Sequence, residues 1–593
     1  MRSAAGEPAR RRRRATLAWA LGSAFAGLVL FACYLGQSRT VPVGSDGASQ
    51  ALQAWDLLHG NPLLRGWWVT DVSFYTTELP QYALLELARG LTADVIHVAG
   101  AVTYTLLVLT AALLARGRAR GTEGVTRALI AAGIMLAPQL GPGTQTLILS
   151  PDHTGTGVPI LLGFLLIDRS GYLAGTRPGG ARWHVPVLVC LGLAWTALAD
   201  AMTIFVAVIP LALVCAIRVW HGVWRDREPF TTYQREASLA AAAALAIPAE
   251  LGAAALIRAH GGWRVNGLHT ALAQAGQLAG NARLAGEGLL DLFGADVFGA
   301  TTGAGTALAA VHLMGLALAV AGFATAASRF LRRDQLIEAV LVTGIVIDLA
   351  AYLAGVQAVD ILSTREIVPV LPFAAVLAGR CLAPPCPARR GWLCAFLALY
   401  AAGLGYAAAQ PAAAPQYADL ASWLRAHHLA DGLSGYHQAN IVTLETGGAV
   451  SLRPVAPGTD GRLAAYAWNA SSAWYDPAAR TATFLVLADP GLVTPGAPGA
   501  SGVTAARAIA TFGPPAASYR YKEYEILTWR RGVNLLAGLR LSHPLSYRGY
   551  LCRFECIWSV HLQFDIRPLV VSLLPCRLNA RRVPVERDSS PVT

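Results

Sequence analysis

Five carboxylates, Asp46, Asp56, Asp71, Glu78 and Glu86, fall among aromatic residues in the connection 41–90, between an apolar run at 15–36 and the next at 91–115. Gly44-Ser45-Asp46-Gly47 stands where the chain leaves the first run. A carboxylate at that depth faces lipid headgroups on one side and water-soluble molecules on the other. The chemistry it suits is proton abstraction from a hydroxyl. Ser45 or Asp46 is equally a good N-cap for the helix predicted over Ala48–His59, and the two roles are compatible. Asp71 lies in Trp67-Trp68-Val69-Thr70-Asp71-Val72-Ser73-Phe74-Tyr75, with Glu78 close behind. Acids amid aromatics suit carbohydrate, because sugar faces stack on rings while their hydroxyls bond to carboxylates. Trp68, Tyr75 and Glu78 are therefore candidates for sugar or acceptor contact. The plainer alternative is an interfacial aromatic belt with incidental acids.

A second constellation is Ser150-Pro151-Asp152-His153-Thr154-Gly155-Thr156, between two apolar runs. Asp152 and His153 side by side at membrane depth are costly unless they line a polar cavity. They suit donor phosphate binding or a divalent metal, although one Asp and one His do not make a metal site, and a capped Pro/Gly turn also explains them. Asp200 punctuates the hairpin between 185–199 and 201–219. Arg365, in Ser363-Thr364-Arg365-Glu366-Ile367, precedes a late apolar run on the acidic side of the chain, and guanidinium matches phosphate geometry. An ion pair with Glu366 or Asp360 is the competing account. No phosphate-binding glycine loop, dinucleotide fingerprint or serine-hydrolase elbow occurs in a usable context, and no cofactor is specified.

The elements that must position these groups are apolar. With 54% hydrophobic and 14% charged residues and a mean hydropathy of +0.45, the chain is not an ordinary soluble protein. Eleven apolar runs, at 15–36, 91–115, 128–149, 154–168, 185–199, 201–219, 237–258, 304–327, 336–356, 366–380 and 391–410, predict about 11 spans, several of them short of the roughly 20 residues a full crossing needs. The net charge of +12 sits in alternate connections, beginning with Arg10–Arg14. That placement reports topology rather than a nucleic-acid partner: a cytoplasmic N-terminus in a plasma (inner) membrane, with the acidic connections outside. The expected organisation is a basic tail 1–14, a transmembrane core 15–410, an extracytoplasmic α/β domain 411–540 and an atypical tail 541–593, which reads as an extension or frameshifted translation. Within 411–540, Tyr417–His428 reads as a helix. Ile441–Leu444, Ala449–Val455, Thr483–Val486 and Tyr524–Trp529 read as strands.

This layout resembles the GT-C superfamily of polyprenyl-phosphate-sugar-dependent membrane glycosyltransferases, in particular actinobacterial membrane proteins of that type. The resemblance rests on Gly44–Ser49, Thr70–Tyr75, Ser150–Thr156, Gly432–Asn440 and Trp474–Pro477, and covers about residues 15–540. It implies inverting sugar transfer from a polyprenyl-phosphate donor to an envelope glycan, lipid or protein on the outer membrane face. The catalytic acid of the first loop maps onto Asp46, with Asp71 second, and the phosphate-binding arginine maps onto Arg365, assisted by His153 and Asp152. A transporter or flippase of lipid-linked glycans is the alternative from another class. It would concentrate charge at mid-membrane and show internal repeats, whereas the acids here cluster at span ends, with Asp348 the main mid-span exception, and no repeat is seen. A non-catalytic envelope-binding protein is the third.

Overall fold

The computed structural model describes residues 7–535, apart from 137–139, 150–152, 174–182, 266–270, 300–302, 331, 333, 384–389, 459, 477, 479–480 and 489–501, with side chains from residue 20. Asp152 and the tail 541–593 lie outside the described residues. The described residues fall in one compact unit.

Helix α1 (Glu7–Ser38) leads into α2 (Ser45–Leu58), strand β1 (Trp67–Val69) and α3 (Glu78–Arg89). The bundle continues with α4 (Asp94–Arg116), α5 (Gly121–Ile134), the single turn α6 (Pro142–Thr144), α7 (Thr154–Ser170), α8 (His184–Ala199), α9 (Ile209–Trp220) and α10 (Gln234–Ala259). After β2 (Arg264–Val265) come α11 (Leu278–Leu292), α12 (Gly303–Ala327), α13 (Leu336–Ala354), α14 (Val370–Leu382) and α15 (Arg390–Ala408). Among the described residues seven helices are long and apolar enough to cross a membrane, or eight if the bent pair Ile361–Ile367 and Val370–Leu382 is one span. That is fewer than the eleven apolar runs. Gly141-Pro142-Gly143 interrupts the run 128–149, with Gly141 at φ +85°, so α5 stops short as a 14-residue helix. Helices α7 and α8 have 17 and 16 residues. Helix α14 is buried from Val370 to Gly379 and packs with α4, α5 and α12 at the centre of the bundle.

The C-terminal region comprises α16 (Ala418–Ala426), β3 (Asp431–Ser434), α17 (Tyr436–Glu445), β4 (Ser451–Pro457), β5 (Leu463–Ala465), β6 (Ala470–Ser471), β7 (Ala482–Ala488), α18 (Ala505–Phe512), β8 (Ala517–Tyr521) and β9 (Tyr524–Val533). A mixed sheet runs β5-β4-β3-β7-β9-β8, with β3 parallel to both neighbours. The strand expected at Ile441–Leu444 is part of α17. That helix is buried from Gln438 to Leu444 between α2 and β4, so no polar face marks its period. A second sheet, β2-β1-β6, joins the first long connection and the connection after α10 to the C-terminal region. Trp67 packs edge-on against Trp474 across this joint, at 4.9 Å between centroids.

Candidate functional site

The segment after β1 is tied to the end of α8. Val72 bridges Asp200, Ser73 N donates to Ala199 O at 2.7 Å, and Ser73 Oγ donates to Leu198 O at 2.9 Å. Thr76 and Trp195 exchange two further hydrogen bonds. Phe74 completes this docking at φ +54°, a left-handed conformation that costs energy for a bulky side chain. The consequence is that Asp71 and Glu78, both from the first long connection, meet Asp200.

His153 occupies the middle of this meeting point. Its Nδ1 lies 2.7 Å from Asp200 Oδ2, and its Nε2 lies 3.3 Å from Glu366 Oε2. Thr156 Oγ1 donates to Asp200 Oδ2 at 2.6 Å, and the Met202 amide donates to Asp200 Oδ1 at 2.9 Å. A carboxylate at each ring nitrogen favours the charged form of His153. Burial by itself would lower its pKa, but Asp200 and then Glu366 outweigh that and hold it well above the ordinary histidine value. Asp200 is held below the usual carboxylate range: burial opposes this, and His153, Thr156 and the Met202 amide overcome it. A π-helical stretch, Gln145–Leu149, lies just before His153, and another, Ile204–Val208, lies just after Asp200. Such irregular turns gather at functional sites because they re-aim side chains.

Asp71 is solvent-exposed yet has protein packed closely around it, near enough to His153, Glu366 and Asp200 to feel their charges. This enclosure raises its pKa; His153 opposes the rise, while Glu366 and Asp200 add to it. Arg365 is 39% exposed at the same place, with Nε 3.5 Å from Glu366 Oε1. Glu78 is only 3% exposed, its carboxyl lies over Gly155 at the start of α7, and burial pushes its pKa up to about 8. A small cavity lined by Glu78, Tyr82, Thr103 and Thr154 adjoins it. The structure thus brings Asp71, Glu78, His153 and Arg365 together. It adds Glu366, which sequence reasoning weighed as an ion-pair partner, and Asp200, which it weighed as a hairpin mark more than as a functional acid.

Asp46 has different neighbours. It lies in the first turn of α2, and its Oδ1 accepts from Tyr436 Oη at 2.5 Å and from Asn469 Nδ2 at 3.5 Å. Both donors belong to the C-terminal region. Trp68 pairs through its backbone with Ala470 and sets its ring 6.3 Å from that of Tyr475. Tyr75 donates to Pro62 O at 2.6 Å and packs against Trp263. Both rings therefore hold the first connection in place. A small cavity between Leu433, Arg453 and Trp474 lies within the sheet region, with none of the expected site residues on its wall. Among the described residues no group of three or more His, Cys, Asp or Glu side chains is arranged to hold a metal ion.

No family model matches this sequence, and no curated protein matches it. Solved structures do. ArnT from Cupriavidus metallidurans, bound to undecaprenyl phosphate, superposes with a TM-score of 0.50 at 11% identity, over 86% of this chain and 98% of that one. The oligosaccharyltransferase AglB from Archaeoglobus fulgidus, in complex with an inhibitory peptide and a dolichol-phosphate, gives 0.42 at 13% identity, over 72% of this chain. This chain spans 64% of the AglB chain. At these identities the likeness is one of fold: a helical multi-pass membrane protein of GT-C-like architecture with a C-terminal mixed sheet region.

Proposed function

We propose that this chain is a membrane glycosyltransferase that moves a sugar from a polyprenyl-phosphate donor to a cell-envelope acceptor on the outer membrane face. The observation that carries this reading is the charged cluster around His153. A solvent-accessible guanidinium, Arg365, stands beside the imidazolium of His153 and the open carboxylate of Asp71, on a fold shared with a protein solved with undecaprenyl phosphate. Two fixed cations suit a leaving phosphate, whose charge grows as the glycosidic bond breaks. Asp200 and Glu366 keep His153 charged and oriented, and Arg365 offers planar donors to phosphate oxygens.

Asp46 takes the proton of the acceptor hydroxyl. Tyr436 already sets a phenolic hydroxyl against this carboxylate, which supports its fitness to receive one. Asp71, exposed beside the His153 cluster, faces the donor sugar. The reading is tested with the full chain in lipid nanodiscs, measuring undecaprenyl-phosphate binding and transfer from a panel of polyprenyl-phosphate sugars. Asp46→Asn is expected to lower transfer by roughly 10²–10⁴-fold with lipid-phosphate binding intact. Undiminished transfer by that variant removes Asp46 from the mechanism. Binding without transfer across the panel favours a carrier of lipid-linked glycans.

A further inference from the structure

Asp46 is clasped from one side only. Its Oδ1 receives the Tyr436 hydroxyl and the Asn469 amide, and Asn469 Nδ2 also donates to Tyr436 Oη at 3.2 Å, closing a three-membered network. Oδ2 accepts no hydrogen bond from the described residues and is not sealed in the interior. The clasp is itself firmly seated. Ser45 Oγ donates to Tyr436 O at 2.7 Å, and Asn440 Nδ2 donates to Ser45 Oγ at 3.3 Å. Ser49 Oγ donates to Asn469 O at 2.8 Å, which anchors a buried residue held at φ +47°. An asparagine tolerates that conformation better than most residues, but holding it still requires the surrounding bonds. The Tyr466 ring lies 5.2 Å from that of Tyr436, and the charge of Asp46 reaches it.

We infer that Tyr436 and Asn469, carried by the C-terminal region, are positioning residues that fix Asp46 with Oδ2 turned to the acceptor, and that the acceptor is a hydroxyl-bearing glycan or polyol seated against the part-exposed ring of Tyr466. This rests on the glycosyltransferase reading. The chemistry follows from the geometry. A carboxylate with one oxygen saturated by neutral donors presents a single basic lone-pair site, so the attacking hydroxyl is oriented rather than shared between two oxygens. That hydroxyl gives its proton to Oδ2 as its oxygen bonds to the sugar carbon, and the phosphate leaves with the electron pair of the broken bond. An aromatic wall beside a carboxylate suits the apolar face and hydroxyl rim of a sugar ring. The sheet region is then part of the acceptor site.

The test uses the full chain in nanodiscs, with undecaprenyl-phosphoryl mannose as donor and either mannobiose or an asparagine-containing tripeptide as acceptor. Tyr436→Phe is expected to lower kcat roughly ten- to hundredfold with donor KM unchanged, the loss typical of a hydrogen bond to a charged group. Asn469→Ala is expected to lower it less, and mannobiose to be the acceptor used. Unchanged kcat in Tyr436→Phe, or transfer to the tripeptide alone, overturns the inference. A second readout needs no turnover: modification of Asp46 by a water-soluble carbodiimide, read by mass spectrometry. Tyr436→Phe should raise Asp46 labelling severalfold, because Oδ1 loses its nearer donor, and Ser45→Ala, which loosens the seat of Tyr436, should raise it less. Equal labelling in wild type and both variants overturns the clasp. Absent wild-type transfer with raised labelling would instead fault the glycosyltransferase reading and leave the clasp standing.

Discussion

Helices α7 and α14 each connect two charged clusters, and the two clusters are built differently. One end holds His153, just before α7, and Glu366, just before α14. The other holds Asp168 and Arg380, near the far ends of the same helices and, for residues 153 and 168, about 22 Å away along the axis. Arg380 donates to Glu338 at 2.7 Å, to Leu114 O at 2.9 Å and to Asp168 at 3.3 Å, and its side chain is only 8% exposed. There a guanidinium with several fixed donors closes the ends of four helices around itself. The His153 cluster has a cation too, yet it leaves Asp71 and Arg365 open to solvent, lies between two π-helical stretches and leans on the strained Phe74. Buried charge by itself therefore does not mark a site. What distinguishes the two is whether a charged group remains reachable once the network has formed.

Removing the closed cluster's cation is the largest perturbation. Arg380→Met leaves Glu338 and Asp168 facing each other without a counter-charge and should cost about 3–5 kcal/mol. It would be read as a fall in detergent Tm, with undecaprenyl-phosphate binding per folded molecule unchanged. Wild-type stability in this variant would erase the contrast. At the open end the corresponding effect is pH-dependent. Burial raises the Glu78 carboxyl from 4.5 to about 8, so the folded chain keeps a proton that the unfolded chain releases. Stability should fall as pH rises between about 4.5 and about 8, by a few kcal/mol in all, and level off above. Glu78→Gln should flatten that slope in Tm measured across the window, and an unaltered slope would mean the carboxyl is not buried as described.

Arg365→Ala should weaken undecaprenyl-phosphate binding by about 1.5–3 kcal/mol while leaving Tm in place, because the side chain is part-exposed. Arg365→Lys should recover only part, since an ammonium lacks the planar donor pair. A Tm loss as large as that of Arg380→Met would make this arginine structural after all. The smallest effect is steric. A Cβ on Gly155 would overlap the Glu78 carboxyl, so Gly155→Ala should cost about 1–3 kcal/mol. Adding Glu78→Ala should relieve part of that cost in a double-mutant cycle, and strict additivity would show that the two do not touch.

Local pattern was informative wherever one face of an element meets water or sheet. The helix after Gly44, the helix at Ala418–Ala426 and the strands at Ser451–Pro457, Ala482–Ala488 and Tyr524–Val533 all follow from periodicity and turn residues. It failed at Tyr436–Glu445, where burial on both sides removes the polar stripe, and at Asp431–Ser434, a short central strand with no alternation to read. It also overcounted spans. An apolar run states that a segment avoids water, while a Gly-Pro-Gly break or a bend of 53° between Ile361–Ile367 and Val370–Leu382 sets how much of it is one helix.

Composition, apolar runs and charge placement determined by themselves that this is a helical membrane protein, and residue types singled out Asp46, Asp71, His153 and Arg365 as candidates for its chemistry. Only the tertiary structure decided which of them work together. His153 reaches Asp200 across 47 residues, and Asp46 reaches Tyr436 across 390. Pairings at such separations depend on the angles at which helices pack and on where they break. A repeat of two or 3.6 residues fixes which face a side chain is on, but not which distant side chain it meets there.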